Sequence, residues 1–456
     1  MDGGASLMRS NRNPAIGTAA VLAAMALVVL DAGITNVALP TISASFGMRP
    51  GKIILVTSAY QVAVLMGLLP AAHIAGRIGS RRLFVTGLCT FTGASLSAAV
   101  STTFWALVAA RFLQGLGGAA ILALGIPLLR GALGPDRLGS AIGWNALNVA
   151  IWAATGPAIG AFIIATADWP WLFLLNLPIG VLAVAASLAL PVGGRSSATI
   201  DVPSILLHAA GAALLFVALE SLVAAPIAAA ILTAVGAGSF VLLLQRELPK
   251  ASPLLPLDLM RDRSFRLAVG ASILCFVAQS AGQLALPFYL QHNLGANALA
   301  TGAVIAGWPA AVAVTSRFAN KLAQGTSAGA LCAIGMVTLS GGLLAMALLQ
   351  PGLAPLAVLV ATCGAGFGVF QVPNNRNLFF AAPEHRSEAA GGMQGTARLT
   401  GQTTGSVLVT LVFTWCPEIA APQFAFTLAG SFALGAAGFS LRQLQGHPQG
   451  AAQWTA

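Results

Sequence analysis

Acidic side chains deep inside apolar sequence are candidates for chemistry, and this chain places two of them there. Asp31 lies in the apolar run 16–39 and Glu220 in 204–223, while the other ten of the 12 acidic residues fall in polar connections, termini or helix ends. A carboxylate in hydrocarbon is costly, and taking up a proton removes that cost, so such a group is by default a candidate proton carrier. For Asp31 two readings stand open: proton or cation coupling, or a carboxylate fixed in structural hydrogen bonds with a neighbour such as Asn36. Arg111, in the run 104–129, falls at a height similar to that of Asp31, roughly 22 Å from the start of the first helix at about 1.5 Å per residue. The two are placed to pair, so that a proton or a cationic substrate competes with the arginine; alternatively Arg111 only satisfies backbone carbonyls. Glu220 is one turn from the far end of its run, where a solvated interfacial acid is as good a reading as a site residue. Arg398 has no evident acidic partner, and packing against carbonyls or a lipid headgroup is expected.

The elements that must position these residues follow from composition. Of 456 residues, 57% are hydrophobic and only 7% charged, and mean hydropathy is +0.86. A soluble domain carries roughly a quarter charged residues, so a soluble enzyme and a disordered chain are both excluded. Long unbroken apolar runs, rather than alternation, make the spans helical instead of barrel strands. Turn signals divide the chain into spans at 16–39, 52–75, 83–101, 104–129, 138–165, 171–190, 204–223, 226–245, 266–291, 299–319, 328–349, 354–374, 390–415 and 421–441. The fold class is therefore an all-α polytopic membrane protein with fourteen transmembrane helices, grouped six, two and six. The expected organisation is a cytoplasmic N-terminus (1–15), a six-helix bundle (16–190), a linker (191–203), an inserted helix pair (204–245), a linker (246–265), a second bundle (266–441) and a cytoplasmic tail (442–456). The first run has the length of a true span and contains Asp31, so no signal peptide is expected.

Basic residues fix the orientation. With the N-terminus inside, eighteen of the 22 Lys and Arg residues fall on the inner side, including Arg77, Arg81, Arg82, Arg130, Arg261 and Arg442; only Arg49 and Lys52 fall outside. Positive charge marks cytoplasmic segments, so both termini are cytoplasmic and the number of crossings is even. The formal charge of +10 is thus an orientation signal. It is not gathered into a stripe, and no nucleic-acid partner is expected. The bilayer of a bacterial inner membrane, a small-molecule substrate and protons are the expected partners, with the chain acting as a monomer.

Other polar and small residues mark possible working surfaces. Asn145, Asn148 and Trp152 share one face of the fifth span, and Gln279 and Gln283 one face of the ninth. Asn374 lies in an amide-rich stretch, 371-QVPNNRN-377. Together with Asn36 and Gln114 these are candidates for a polar substrate cavity; each also suits helix-to-helix adhesion. Gly143, Gly156, Pro157 and Gly160 in the fifth span suit either close packing or a gate that repacks, and the sequence does not separate the two. The five cysteines have no metal or redox spacing, no phosphate loop occurs, and the five histidines form no catalytic cluster, so no cofactor, no metal and no enzymatic activity are expected.

Several stretches together resemble the major facilitator superfamily, in particular its fourteen-helix drug:proton antiporter branch, over nearly the whole chain. They are 30-LDAGITNVALPTI-42, 111-RFLQGLGGA-119, 156-GPAIGAF-162, 169-WPWLFLLNLPIG-180 and 364-GAGFGVFQVPNN-375. The resemblance implies the major facilitator fold, two six-helix bundles around a central cavity with an inserted helix pair, which rock to give alternating access. It implies proton coupling through Asp31 and Arg111, and export of amphipathic, often cationic compounds; a dedicated exporter of one metabolite is the alternative, and a non-transporting sensor a more distant one. The gating loop after the second span keeps Gly79, Arg81 and Arg82 but carries Gly76 where the family usually has an acid and Ala72 at the opening glycine. Trp152 likewise stands at a glycine position of the fifth-span motif.

Overall fold

The structure is a computed structural model that describes residues 14–133, 135–191, 201–222, 225–248, 258–322, 326–382 and 387–444, apart from the side chains at 135–143, 146, 220, 320–322, 387–389 and 444. The described residues form sixteen α-helices: α1 (Pro14–Phe46), α2 (Pro50–Ile53), α3 (Leu55–Ile78), α4 (Ser80–Ala99), α5 (Phe104–Leu133), α6 (Pro135–Thr166), α7 (Pro170–Leu174), α8 (Asn176–Ser187), α9 (Val202–Ser221), α10 (Pro226–Glu247), α11 (Arg263–Phe288), α12 (Ala298–Leu322), α13 (Ala328–Leu349), α14 (Leu353–Phe380), α15 (Ser387–Trp415) and α16 (Ala421–Leu444). Two of the fourteen expected spans are broken, the second into α2 and α3 and the sixth into α7 and α8, which restores the count of fourteen crossings. The second break matters for the site. Pro178 has no N–H to return to the carbonyl of Leu174, so the chain is free to turn at Leu175 and begin α8 on Asn176.

Twelve of the crossings are long and apolar enough to span a bilayer by length and composition alone. The other two, α4 and α15, are more polar. Polar side chains also start the helices. Asp201 receives the backbone N–H and hydroxyl of Ser204 at the head of α9, and Asp262 receives the N–H of Phe265 at 2.8 Å at the head of α11. Ser327 caps α13 through the N–H of Ala330. Each fills one of the donors a helix leaves open at its first turn.

Helix pairing repeats between the two halves. In the first, α1 packs on α5, α6 and α8, α5 on α3 and α4, and α4 on α8; in the second, α11 packs on α14, α15 and α16, α14 on α12 and α13, and α13 on α16. The same six pairings thus occur twice, a repeat that the sequence carries only faintly. Close glycine contacts repeat with them. A Cβ on Gly117 would lie 2.5 Å from the carbonyl oxygen of Gly87, and one on Gly335 or Gly366 would lie 2.6 Å from the carbonyl oxygen of the other. Backbone therefore meets backbone at α4–α5 and again at α13–α14. The halves meet along two seams, α6 with α12 and α3 with α15, and α9 lies beside the second seam with α10 outside it.

Let the basic end be the one where most Lys and Arg lie. Away from it, one apolar cluster joins both bundles, running from Ile34, Val37 and Phe104 to Leu286, Phe288 and Phe413. At the basic end the core is divided. One cluster (Val21, Val28, Phe84, Leu124) belongs to the first bundle, and another (Phe265, Val269, Leu378, Met393) to the second. Leu399 of α15 is the one member of the first bundle's cluster contributed by the other half. The bundles thus share one apolar cluster away from the basic end and have separate clusters at it, with Leu399 as the bridge. Substituting Gly117 or Gly366 by Ala forces a methyl into the facing backbone. Each variant is expected to lose about 1–3 kcal/mol of stability, read as a lower melting temperature of the purified protein, and unchanged melting would show that these contacts are slack.

Candidate functional site

Asp31 and Arg111 meet. The Arg111 Nη1 donates to Asp31 Oδ2 at 2.5 Å, and both side chains are 0% exposed. Their helices bring further partners. Gln114, one turn from Arg111 on α5, accepts from the same Nη1 at 2.6 Å and donates through Nε2 to Asp31 Oδ1 at 2.8 Å. Asn176, the first residue of α8, donates to the same Oδ1 at 2.8 Å. Ser95 of α4 receives Gln114 Nε2 at 2.9 Å and passes its own proton to the carbonyl of Phe91. Arg111 Nε reaches the carbonyl of Val56 at 3.2 Å, near the start of α3. Five helices of one bundle converge on one ion pair.

Aromatic faces close the site. The Arg111 guanidinium carbon lies 4.5 Å from the ring centre of Tyr60 and 5.7 Å from that of Phe173, a stacking that suits a planar, weakly hydrated cation. Tyr60 reaches this position because α5 presents Gly118 opposite it; a Cβ there would lie 2.9 Å from the phenol oxygen. Three polar groups stay without a partner in this dry site: Arg111 Nη2, Asn176 Oδ1 and the Tyr60 hydroxyl. The Asp31 carboxylate accepts from three side-chain donors, Arg111, Gln114 and Asn176.

The remaining sequence-selected residues are placed as follows. Asn36 is not a partner of Asp31; its Oδ1 accepts from Thr57 at 3.4 Å. Gln114, expected to line a cavity, is instead fully buried in the ion-pair network. Asn374, expected likewise, is fully buried and donates to Ser272 at 2.7 Å, holding α14 to α11. Asn148 donates to the Leu22 carbonyl of α1 at 2.8 Å and accepts from Trp152 Nε1, so this pair ties α6 to α1. Asn145, Gln279 and Gln283 are partly exposed, with Asn145 Oδ1 and Gln279 Oε1 unpartnered. Glu220 sits in the last turn of α9, and its side chain lies outside the described residues, as does that of Gly143's stretch of α6. Among the described side chains, no carboxylate other than the paired Asp31 lies in the membrane interior.

The small residues of α6 do seal the bundles. A Cβ on Gly160 would lie 2.8 Å from Ile34 Cα, and Gly156 abuts Gly33, so α6 is pressed on α1; on the other side Gly302 of α12 would clash with the Pro157 carbonyl at 2.6 Å. Gly79 joins α3 to α4 at φ 99°, a conformation that side chains rarely adopt. Gly76 and Arg82 are exposed, while Arg81 is partly buried.

Ser95, Tyr60 and Asn176 were not singled out from the sequence. Asn176 carried a signal, as the one amide in the otherwise apolar run 171–186; Ser95 and Tyr60 carried none that distinguishes them from ordinary core residues. A second missed pattern lies on α15, where Gln394, Arg398, Gln402, Ser406, Thr410 and Thr414 recur at every fourth position. Ser406 donates to Gln61 of α3 at 2.5 Å, which turns this polar stripe toward the seam.

The description "Major Facilitator Superfamily" matches residues 21–406, and the chain belongs to that family. It is 38% identical over 402 residues to the protein named "Uncharacterized transporter YebQ" of Escherichia coli (strain K12), covering 86% of this chain and 87% of that one. It is 27% identical over 390 residues to the riboflavin transporter RibZ of Clostridioides difficile (strain 630), covering 84% and 85%. A putative multidrug resistance protein, MdtD of Klebsiella pneumoniae subsp. pneumoniae, is 33% identical over 270 residues, 58% of this chain and 57% of that one. The fold is that of a POT family transporter crystallised with a thioalcohol-conjugated peptide, with a TM-score of 0.72, 13% identity, and coverage of 94% of this chain and 96% of that one. The chain is a multi-pass membrane transporter.

Arg111→Ala leaves the Asp31 carboxylate buried without its counter-ion and is expected to cost about 3–5 kcal/mol. The double variant Asp31→Asn with Arg111→Gln, which removes both charges, should melt at a higher temperature than Arg111→Ala. A double variant as unstable as the single one would show that the pair is held by packing and not by charge.

Proposed function

We propose that this transporter exports hydrophobic or cationic small molecules in exchange for protons, by alternating access, in the cytoplasmic membrane of a bacterium. The ranges 16–190 and 266–441 are the two moving units, 204–245 rides beside them, and the protein works as a monomer. The observation that carries the reading is the sealed Asp31–Arg111–Gln114–Asn176 network, a titratable group whose protonation is tied to the packing of five helices. A proton taken up by Asp31 releases Arg111 and loosens the contacts among α1, α5 and α8. Binding of the proton to one face and of substrate to the other thereby favours different arrangements of the bundle. With one such carboxylate described, few protons move in each cycle. The MdtD relative supports a multidrug substrate range; RibZ, named for riboflavin, supports the second reading, a transporter dedicated to one metabolite.

In proteoliposomes, Asp31→Asn should abolish efflux driven by a pH gradient while leaving gradient-free exchange of substrate measurable. Gradient-driven efflux at the wild-type rate would end the proton-coupling reading. The seal away from the basic end yields a separate test. Gly302→Val pushes α12 off Pro157 and Ala161, so amide hydrogen exchange should quicken in residues 37–46 of α1; unchanged protection there would show that this seam does not hold the bundles closed.

A further inference from the structure

Arg398 is a cation on a membrane span for which the described residues provide no counter-charge. It lies on α15, partly exposed, with its Nε buried and unpartnered. Its neighbours place it at the seam between the bundles and not at a headgroup. Leu399 inserts into the first bundle's core, and a Cβ on Gly395 would touch Leu68 of α3 at 3.5 Å. The guanidinium lies within electrostatic range of the Tyr60 phenol. Tyr60 in turn covers Arg111.

No described carboxylate serves this arginine. Asp31 is occupied by Arg111, Gln114 and Asn176. Glu220 is remote along α9: His208 of that helix meets the carbonyl of Leu65 at 3.1 Å, which sets its level near Leu68, and Glu220 stands about 18 Å further along the helix. Gln402 lies one turn from Arg398 on the same face of α15. The sequence expectation of packing against carbonyls finds no support in the hydrogen bonds of Arg398's neighbours either, because the nearby Gln402 carbonyl is taken by Ser280 and Ser406.

We propose that the substrate carries an anionic group, a carboxylate, sulfonate or phosphate, and that Arg398 is the residue that binds it, with Gln402 beside it. This rests on the transport reading above and replaces its expectation of cationic cargo with a definite class. A planar guanidinium suits such groups because its N–H donors form a fixed fork. In the absence of substrate the charge is left poorly solvated at the seam, and an arriving anion relieves that cost.

The test is equilibrium binding to the full-length protein in nanodiscs, with carboxyfluorescein and pyrenebutyrate as anionic probes and a rhodamine ethyl ester as the cationic xanthene control. Arg398→Gln should weaken binding of the anionic probes by roughly 10- to 100-fold, the worth of a charge-assisted hydrogen bond. It should leave the rhodamine ester within about twofold, and Arg398→Lys, which keeps the charge and guards against a folding defect, should fall between wild type and Arg398→Gln. Failure of the wild type to bind either anionic probe above protein-free discs, or equal binding by wild type and Arg398→Gln, overturns the assignment. Anion binding that depends on Arg398 but gives no flux under any gradient upholds the site and instead removes the transport reading.

Discussion

An acidic and a basic side chain sit fully buried in the interior of one bundle, and the surrounding structure is organised by that fact. Neither Asp31 nor Arg111 is tolerable alone in hydrocarbon. Each therefore requires the other, and the pair requires donors and acceptors for what remains of its hydrogen-bonding capacity. Gln114, Asn176 and Ser95 supply those from three helices, and the backbone of α3 supplies a carbonyl. The break between α7 and α8, the glycine-lined contact of α5 with α3 and the stacking of Tyr60 are conditions for these groups to arrive together. The bundle is thus held at its centre by electrostatics and at its surfaces by close helix contact, since apolar burial alone gives little preference between helix and lipid.

Much of this was readable in the sequence, and the limits are physical. The fourteen crossings and their grouping follow from apolar length, which is a local signal. Asp31 and Arg111 were legible because a charge in an apolar run is conspicuous and helix rise fixes its depth. Their neutral partners were not. Asn176 and Ser95 matter through which helix they face, and facing is decided by packing between segments more than a hundred residues apart. Gln114 and Asn374 show the converse: an amide on an apolar helix announces polarity but not whether that polarity meets a cavity or another helix, and both meet another helix. Arg398 was visible as a charge without a partner; its seat at the seam required the pairing of α15 with α3.

The doubled set of helix pairings is matched by a doubled set of close backbone contacts. Within each half, backbone meets backbone at glycine contacts such as Gly87–Gly117 and Gly335–Gly366, which resist deformation. Between halves, α12 comes equally close to α6 where Gly302 faces the Pro157 carbonyl, and one apolar cluster is shared away from the basic end.

The inserted pair has a consequence for the surrounding lipid. Helix α9 packs on both α3 and α15, and α10 covers its outer side, so one of the two seams has a wall in front of it. Among the described residues nothing stands in front of the other seam, where α6 meets α12. An apolar molecule dissolved in the bilayer thus meets two very different sides of the protein: a fence of two helices on one, and a bare line of contact lined by glycine and alanine on the other. The molecule has a lateral asymmetry that its internal symmetry would not suggest.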